Sequence, residues 1–253
     1  MRLGADPEVF MTNVDGQLIS VIGRIKGTKW KPDQIPDLPI GFTLQQDNVA
    51  LEFGIPPASS AQEYIQHIKQ VKSKGLEALP GLTYSMLSCA VFPESEMSCP
   101  QAHQFGCEPD FNAWTGRTNM KPEPPHPYMR SAGGHVHVET NLPKKPVIQA
   151  MDLYLSVPAV LMDDGVERKK LYGKPGAYRP KPYGVEYRVL SNFWIFEDYL
   201  IEWVWRNTER ALQSVRSRER FGKVADKIIK CINNNDKSLA KSLIKEYQLD
   251  VCY

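Results

Sequence analysis

The chain has 253 residues, 42% of them hydrophobic and 24% charged, with a net charge of +2. That length holds one large domain with its own core or two small ones, and so balanced a charge gives no support to nucleic-acid or membrane-surface binding. The N-terminus (MRLGADPEVF) has no apolar leader core, no apolar run approaches the ~20 residues that span a bilayer, and five scattered cysteines suit a reducing compartment better than a disulfide framework. The expected location is the cytoplasm.

Residues 1–55 read as strands and turns, with a hairpin turn at Val14-Asp15-Gly16 and a loop rich in Lys, Pro and Gly (IKGTKWKPDQIPDLPIG). From 59 to 79 apolar residues recur at helical spacing (Ala61, Tyr64, Ile65, Ile68, Val71) behind Pro56-Pro57, which predicts a capped amphipathic helix. Short strands are expected at 83–92 and 107–114, then a loop, KPEPPHP, whose prolines bar it from a helix or a central strand. RSAGGHVHVET gives another strand, followed by a helix from about 146 to 162. Residues 173–184 (GKPGAYRPKPYG) read as a second Gly- and Pro-rich loop leading into the strand GVEYRVLSNF. From 197 to 253 the pattern is helical, broken near 233–236. Strands and helices in irregular alternation, with hairpin-length links, predict a single α+β domain over 1–253 built on a mainly antiparallel sheet.

Residues two apart in a strand share a face. In GADPEVF, Asp6 and Glu8 lie together; in DNVALEF, Asn48, Ala50 and Glu52 oppose Val49, Leu51 and Phe53. In GGHVHV, His135 and His137 are backed by Val136 and Val138; in GVEYRVL, Glu186 and Arg188 are backed by Val185, Tyr187 and Val189. Each strand therefore has an apolar face for the core and a face of metal- and phosphate-binding residue types. For any one strand, the solvated face of a half-exposed sheet is the simpler explanation. It explains the set less well, because carboxylates clustered on one sheet repel each other unless a cation compensates them. Mostly carboxylate oxygens with one or two imidazoles suit Mg²⁺ or Mn²⁺ rather than zinc. On this reading Glu186→Gln relieves repulsion in the metal-free protein.

These four stretches resemble the glutamine synthetase and glutamate–cysteine ligase superfamily of carboxylate–amine ligases, most of all its small phage-encoded branch, COOH–NH2 ligase type 2. Glutamine synthetases carry a paired-acid first strand similar to Asp6-Pro7-Glu8, a strand ending in a glutamate ligand like Glu52, and a Gly-rich His-x-His strand like Gly134-His135-Val136-His137. An Arg-bearing loop before a Glu-x-Arg strand is matched by Arg179 and Glu186-Tyr187-Arg188, and LEFGIPP before a helix is similar to glutamate–cysteine ligases. Each motif alone is weak; four in the family's order are specific. The resemblance implies a curved, mainly antiparallel sheet with helices on one side and a C-terminal helical segment, its concave face holding ATP and Mg²⁺ or Mn²⁺. It implies phosphoryl transfer from ATP to a small-molecule or peptide carboxylate, giving an acyl phosphate that an amine attacks to form an amide, in the host cytoplasm if the chain is phage-encoded.

By the same resemblance, Glu8 and Glu52 are ligands of an ion on the acceptor side, and Asp6, His135 and Glu186 of an ion at the ATP phosphates. His137, Arg179 and Arg188 are then the catalytic residues and the contacts to the phosphates. Asp6 is shorter than the glutamate common in glutamine synthetases. His135, directly after Gly133-Gly134, is assigned to the metal and His137 to the phosphates, since two imidazoles on one hard ion are unusual.

Other residues carry weaker signals. No G-x-x-x-x-G-K-[ST] occurs, which excludes a P-loop as the nucleotide site. Lys174 is a candidate phosphate contact, with an exposed loop lysine as the plainer reading. Glu108 and Asp110 share a strand face and could add a ligand or meet the amine. Asp47 has the opposite parity to Glu52 unless a bend turns it inward. Cys89, Cys99, His103 and Cys107 lack the C-x₂₋₄-C pairing usual for structural zinc. A metal-dependent hydrolase using the His-x-His pair is the rival enzyme class, but leaves Arg179 and Arg188 without a task. A binding protein that keeps the fold would not need acids on all four strands.

Overall fold

The computed structural model describes residues 1–104 and 110–252. Its strands are β1 (Arg2–Ala5), β2 (Glu8–Thr12), β3 (Leu18–Ile19), β4 (Asp33–Gln34), β5 (Thr43–Asp47), β6 (Ala50–Ala58), β7 (Thr83–Ser85), β8 (Cys89–Val91), β9 (Phe111–Asn112), β10 (Met129–Ser131), β11 (Val136–Glu139), β12 (Ala177–Lys181) and β13 (Gly184–Tyr187). Its helices are α1 (Ala61–Ala78), α2 (Lys144–Met151), α3 (Val157–Met162), α4 (Val166–Leu171), α5 (Asp198–Arg216), α6 (Ala225–Asn233) and α7 (Lys237–Tyr247). The main sheet runs β3-β2-β6-β1-β11-β13-β12-β9, with β5 and β4 attached beyond β6 and β7 beside β2; β8 and β10 form a separate ribbon. The pairings between these strands are antiparallel, so the α+β, mostly antiparallel expectation is borne out.

Strand alternation puts Leu3, Leu51, Phe53, Val136, Val138, Val185 and Tyr187 into the core, each at most 1% exposed. Against that face α1 lies on β6, α2 on β12 and β13, and α5 on both helices. Tyr64 of α1 stacks on Trp194 and meets Trp205 of α5. Helix α1 begins where expected: Ser60 Oγ accepts from Glu63 N, and the Glu63 carboxylate accepts from Ser59 N, so the first turn is capped from both directions. Among the described residues no helix is long and apolar enough to cross a membrane.

Several expected elements differ. DNVALEF is not one strand: Asp47 ends β5, Asn48 takes a left-handed φ of 56°, and Ala50 begins β6 paired back to Asp47. A tight hairpin thus resets the parity that a single strand would impose. The 173–184 loop contains β12, paired to β13 along its length and to β9 only through Ala177 and Tyr178. Pro180 lies beyond the residues of β12 that pair with β9 among the described residues, where a missing donor costs least. The 146–162 helix is interrupted by a π-helical turn, Asp152–Ser156, between α2 and α3. The 83–92 segment forms two short strands in different sheets, and of the 107–114 strand Phe111–Asn112 is observed, Cys107 and Glu108 lying outside the described residues.

Candidate active site

The polar face of the main sheet is built in register. Glu8 of β2 pairs with Glu52 of β6, and Glu52 with Gln45 of β5; His137 of β11 pairs with Glu186 of β13, and Glu186 with Arg179 of β12. Asp6 and Glu8 come from neighbouring chain positions but serve different groups. The Asp6-Pro7 step separates β1 from β2, and β6 pairs with both through a register shift. Asp6 therefore turns towards the histidines, and Glu8 towards Glu52.

Two clusters result. Asp6, His137 and Glu186 form one, and Glu8, Asp47 and Glu52 the other; within each, one potential ligand atom per residue lies within 4.8 Å of the others. Asp6 Oδ1 is 3.0 Å from His137 Nε2 and 3.3 Å from His135 Nδ1. His135 Nδ1 is also 3.4 Å from Arg188 Nη1, so this ring stands between a carboxylate and a guanidinium. Asp6 Oδ1, His137 Nε2 and Glu186 Oε2 are buried and none makes an aligned hydrogen bond. Charge holds them instead, with Lys181 Nζ 2.7 Å from Glu186 Oε2 and His137 against Asp6, and two carboxylates and an imidazole converging in one group fit a hard cation.

Charge divides the two clusters. Glu8 is pushed up to about 7 by burial and by the neighbouring Asp47 carboxylate, against the pull of Arg188. Burial and the charges of Asp6, Asp47 and Glu8 hold Glu52 well above the usual carboxylate range. Lys29 Nζ, 3.4 Å from Asp47 Oδ1, and Arg188 offset this crowd of acids only in part, and a divalent ion would complete the compensation. Around Glu186 the cations are protein groups: Arg188 Nη1 bonds Oε1, Arg179 Nη1 lies 3.5 Å from the same oxygen, and Lys181 Nζ lies 2.7 Å from Oε2. Burial and Asp6 would raise Glu186, but Arg188 and the two histidines outweigh them and bring it to about 2. Asp6 is likewise lowered despite its burial, chiefly by the charge of His137. Burial and Arg188 lower His135 to about 4, whereas the pull of Asp6 overcomes burial and raises His137.

Beside the acid cluster opens a cleft of about 60 Å³, lined by Glu8, Asp47 and His135 on one side and by Arg130, Arg168 and Arg188 on another. The β8–β10 ribbon contributes Arg130 and Ser131 to it. Arg168 is 2% exposed, and its guanidinium donates to the carbonyls of Val189 and Arg188. A Cβ on Gly133 would lie 2.8 Å from Arg168 Nη2 and 2.3 Å from His135 Nε2, which explains the glycine before the His-x-His pair.

The structure thus brings Asp6, Glu8, Glu52, His135, His137, Arg179, Glu186 and Arg188 to one side of the sheet. Asp110 joins them, 3.6 Å from Arg188 Nε. Lys174 does not line the cleft; it borders a separate hollow with Asn112, Arg117 and Asn119. Glu108 and Cys107 lie outside the described residues, and Cys89 and Cys99 are free thiols. Sequence reasoning missed Lys181, which shares strand parity with Arg179 but was hidden between two prolines, and Tyr183, whose hydroxyl lies 2.8 Å from His137 Nδ1. It also missed Arg130 and Arg168, which have no periodic signal.

Residues 123–245 carry the pattern of a particular family, described as phage phiEco32-like COOH.NH2 ligase-type 2, which bears out the family resemblance. The match takes in His135, His137, Arg179, Glu186 and Arg188; the strands of Asp6, Glu8 and Glu52 precede it. That description names a carboxylate–amine ligase. Searches of curated proteins and of solved structures found no match.

Proposed function

We propose that the protein is a single-domain, cytoplasmic carboxylate–amine ligase that uses ATP and Mg²⁺ or Mn²⁺ to join a small-molecule or peptide carboxylate to an amine through an acyl phosphate, on a sheet of the glutamine synthetase and glutamate–cysteine ligase kind. The observation that carries this reading is the pair of acid clusters, each bringing three potential ligand atoms within 4.8 Å of one another, set against buried arginines on the same face. Phosphoryl transfer is largely positioning and charge stabilisation, and this face supplies both.

In this reading Glu8, Asp47 and Glu52 hold one ion and Asp6, His137 and Glu186 another. Bound divalent ions would offset the charge of the acids and of the phosphates. His137 takes the ligand place expected for His135, because its Nε2 faces the Asp6–Glu186 pair while His135 is engaged with Arg188. His135, held neutral, keeps Asp6 and Arg188 apart. Arg179 and Arg188 stand where they can neutralise the transferred phosphoryl group. The cleft between Glu8, Asp47 and the arginines could take the acceptor carboxylate, with ATP lying towards His137 and Arg179. Incubation with ATP, Mn²⁺ and a pooled amino-acid and peptide mixture, read by mass spectrometry, tests this. An amide product with stoichiometric ADP supports it; hydrolysed components without any use of ATP would point to the hydrolase instead.

A further inference from the structure

Glu186 has two oxygens, and both are occupied by protein cations. Oε1 is bonded by Arg188 and approached by Arg179, which leaves Oε2 for any ion held with Asp6 and His137. Lys181 Nζ lies 2.7 Å from that oxygen. An ammonium and a divalent ion cannot both occupy the coordination sphere of one carboxylate oxygen without strong repulsion at such short range. Glu186 is fully buried while the Lys181 side chain is 30% exposed, so the lysine has an open path away and the glutamate does not. The guanidinium of Arg188 is 5% exposed and enclosed, so it is not the group that gives way. A lysine suits such a role: it is a point charge on a flexible four-carbon stem rather than a planar fork locked by several bonds. Among the described residues, β12 pairs with β9 only through Ala177 and Tyr178, short of Lys181.

We propose that Lys181 is an internal counter-ion that closes the Asp6–His137–Glu186 site to a bare divalent ion. The site opens when the phosphates of a nucleotide draw the ammonium off Glu186, so that metal and nucleotide load together. This rests on the ligase reading above and adds to it an order of assembly. It also explains how a buried carboxylate tolerates the metal-free state: the lysine stands in for the ion's charge. Metal affinity in the absence of nucleotide is then reduced by the fraction of molecules in which Lys181 still covers Oε2.

Calorimetric titration of Mn²⁺ into the nucleotide-free protein tests this, with Lys181→Met and Lys181→Gln compared to wild type and Glu186→Gln marking which phase of the isotherm belongs to this site. Both lysine variants are expected to bind Mn²⁺ at that site roughly tenfold tighter or more. With saturating Mn²⁺, both are expected to bind a non-hydrolysable ATP analogue more weakly than wild type. Unchanged or weaker Mn²⁺ binding in both variants, with analogue binding by wild type intact, overturns the counter-ion role alone. A wild type that binds neither Mn²⁺ nor the analogue overturns the ligase reading, and this proposal with it.

Discussion

Glu8 and Glu186 are both buried carboxylates on one sheet face, yet their surroundings push them in opposite directions. Glu8, raised to about 7, is neutral in the folded protein over a range where it is ionised in the unfolded chain. Folding then binds a proton, so the group subtracts stability progressively as pH rises from about 4.5 to 7. Metal-free Glu8→Gln should therefore be more stable than wild type at pH 8, by up to about 3 kcal/mol, with the gap closing by pH 5. Denaturant melts at the two pH values check this, and a gap independent of pH would contradict the protonated Glu8. Glu186 is depressed, so it adds stability above its unfolded value and loses it only in strong acid. Glu186→Gln was expected to relieve repulsion; with Arg188, Lys181 and Arg179 around it, the substitution instead removes a needed anion and lowers metal-free stability. Tyr183→Phe makes a third test. It removes the group at His137 Nδ1 that fixes which ring nitrogen is free for a ligand, and such partners are worth roughly 10- to 100-fold in metal affinity. Mn²⁺ titration should show that loss with the fold intact; unchanged affinity would mean that Tyr183 does not orient the ring.

At the scale of elements, the sheet holds its polar face because its other face is anchored. The π-helical turn between α2 and α3 brings Asp152 and Ser156 to the hydroxyl of Tyr187, the neighbour of Glu186 on β13, at 2.7 and 2.5 Å. Asp152 also accepts from Trp114 Nε1, next to β9. Asp152→Ala would leave Trp114 Nε1 without its acceptor and the Tyr187 hydroxyl with Ser156 alone, at a cost of about 1–3 kcal/mol in urea unfolding; no measurable loss would show that the network is not a structural anchor. None of this was legible in the sequence, since a π turn made from ordinary helix formers leaves the apolar spacing nearly unchanged. The strands of Asp6, Glu52, His137 and Glu186 were legible, because alternation with buried Val and Leu is local and strict. Asp47 joins Glu52 through the bend that the sequence leaves open, and Asn48, which tolerates the left-handed region, is the sign of it. Strand β12 reads as a loop in the sequence because its prolines count against a central strand, and only its pairing with β13 reveals it as a strand.

Across the whole molecule, helices cover the apolar face of the sheet and leave the polar face to gather charged and imidazole groups from several strands and their ends. Stability and activity should therefore separate cleanly. Glu52→Gln removes one of the crowded, only partly compensated acids and is expected to stabilise the metal-free protein, whereas Glu186→Gln is expected to destabilise it. Both residues belong to the proposed metal groups, so both substitutions should abolish function. The most direct measurement is Mn²⁺-dependent ADP formation, in the presence of an accepted carboxylate and amine, by wild type and these two variants, each checked for folding by circular dichroism. The result expected is turnover by wild type alone, lost in a stabilised variant and a destabilised one alike. Wild-type turnover with unchanged metal dependence in either variant would contradict the placing of the catalytic metal groups on this face.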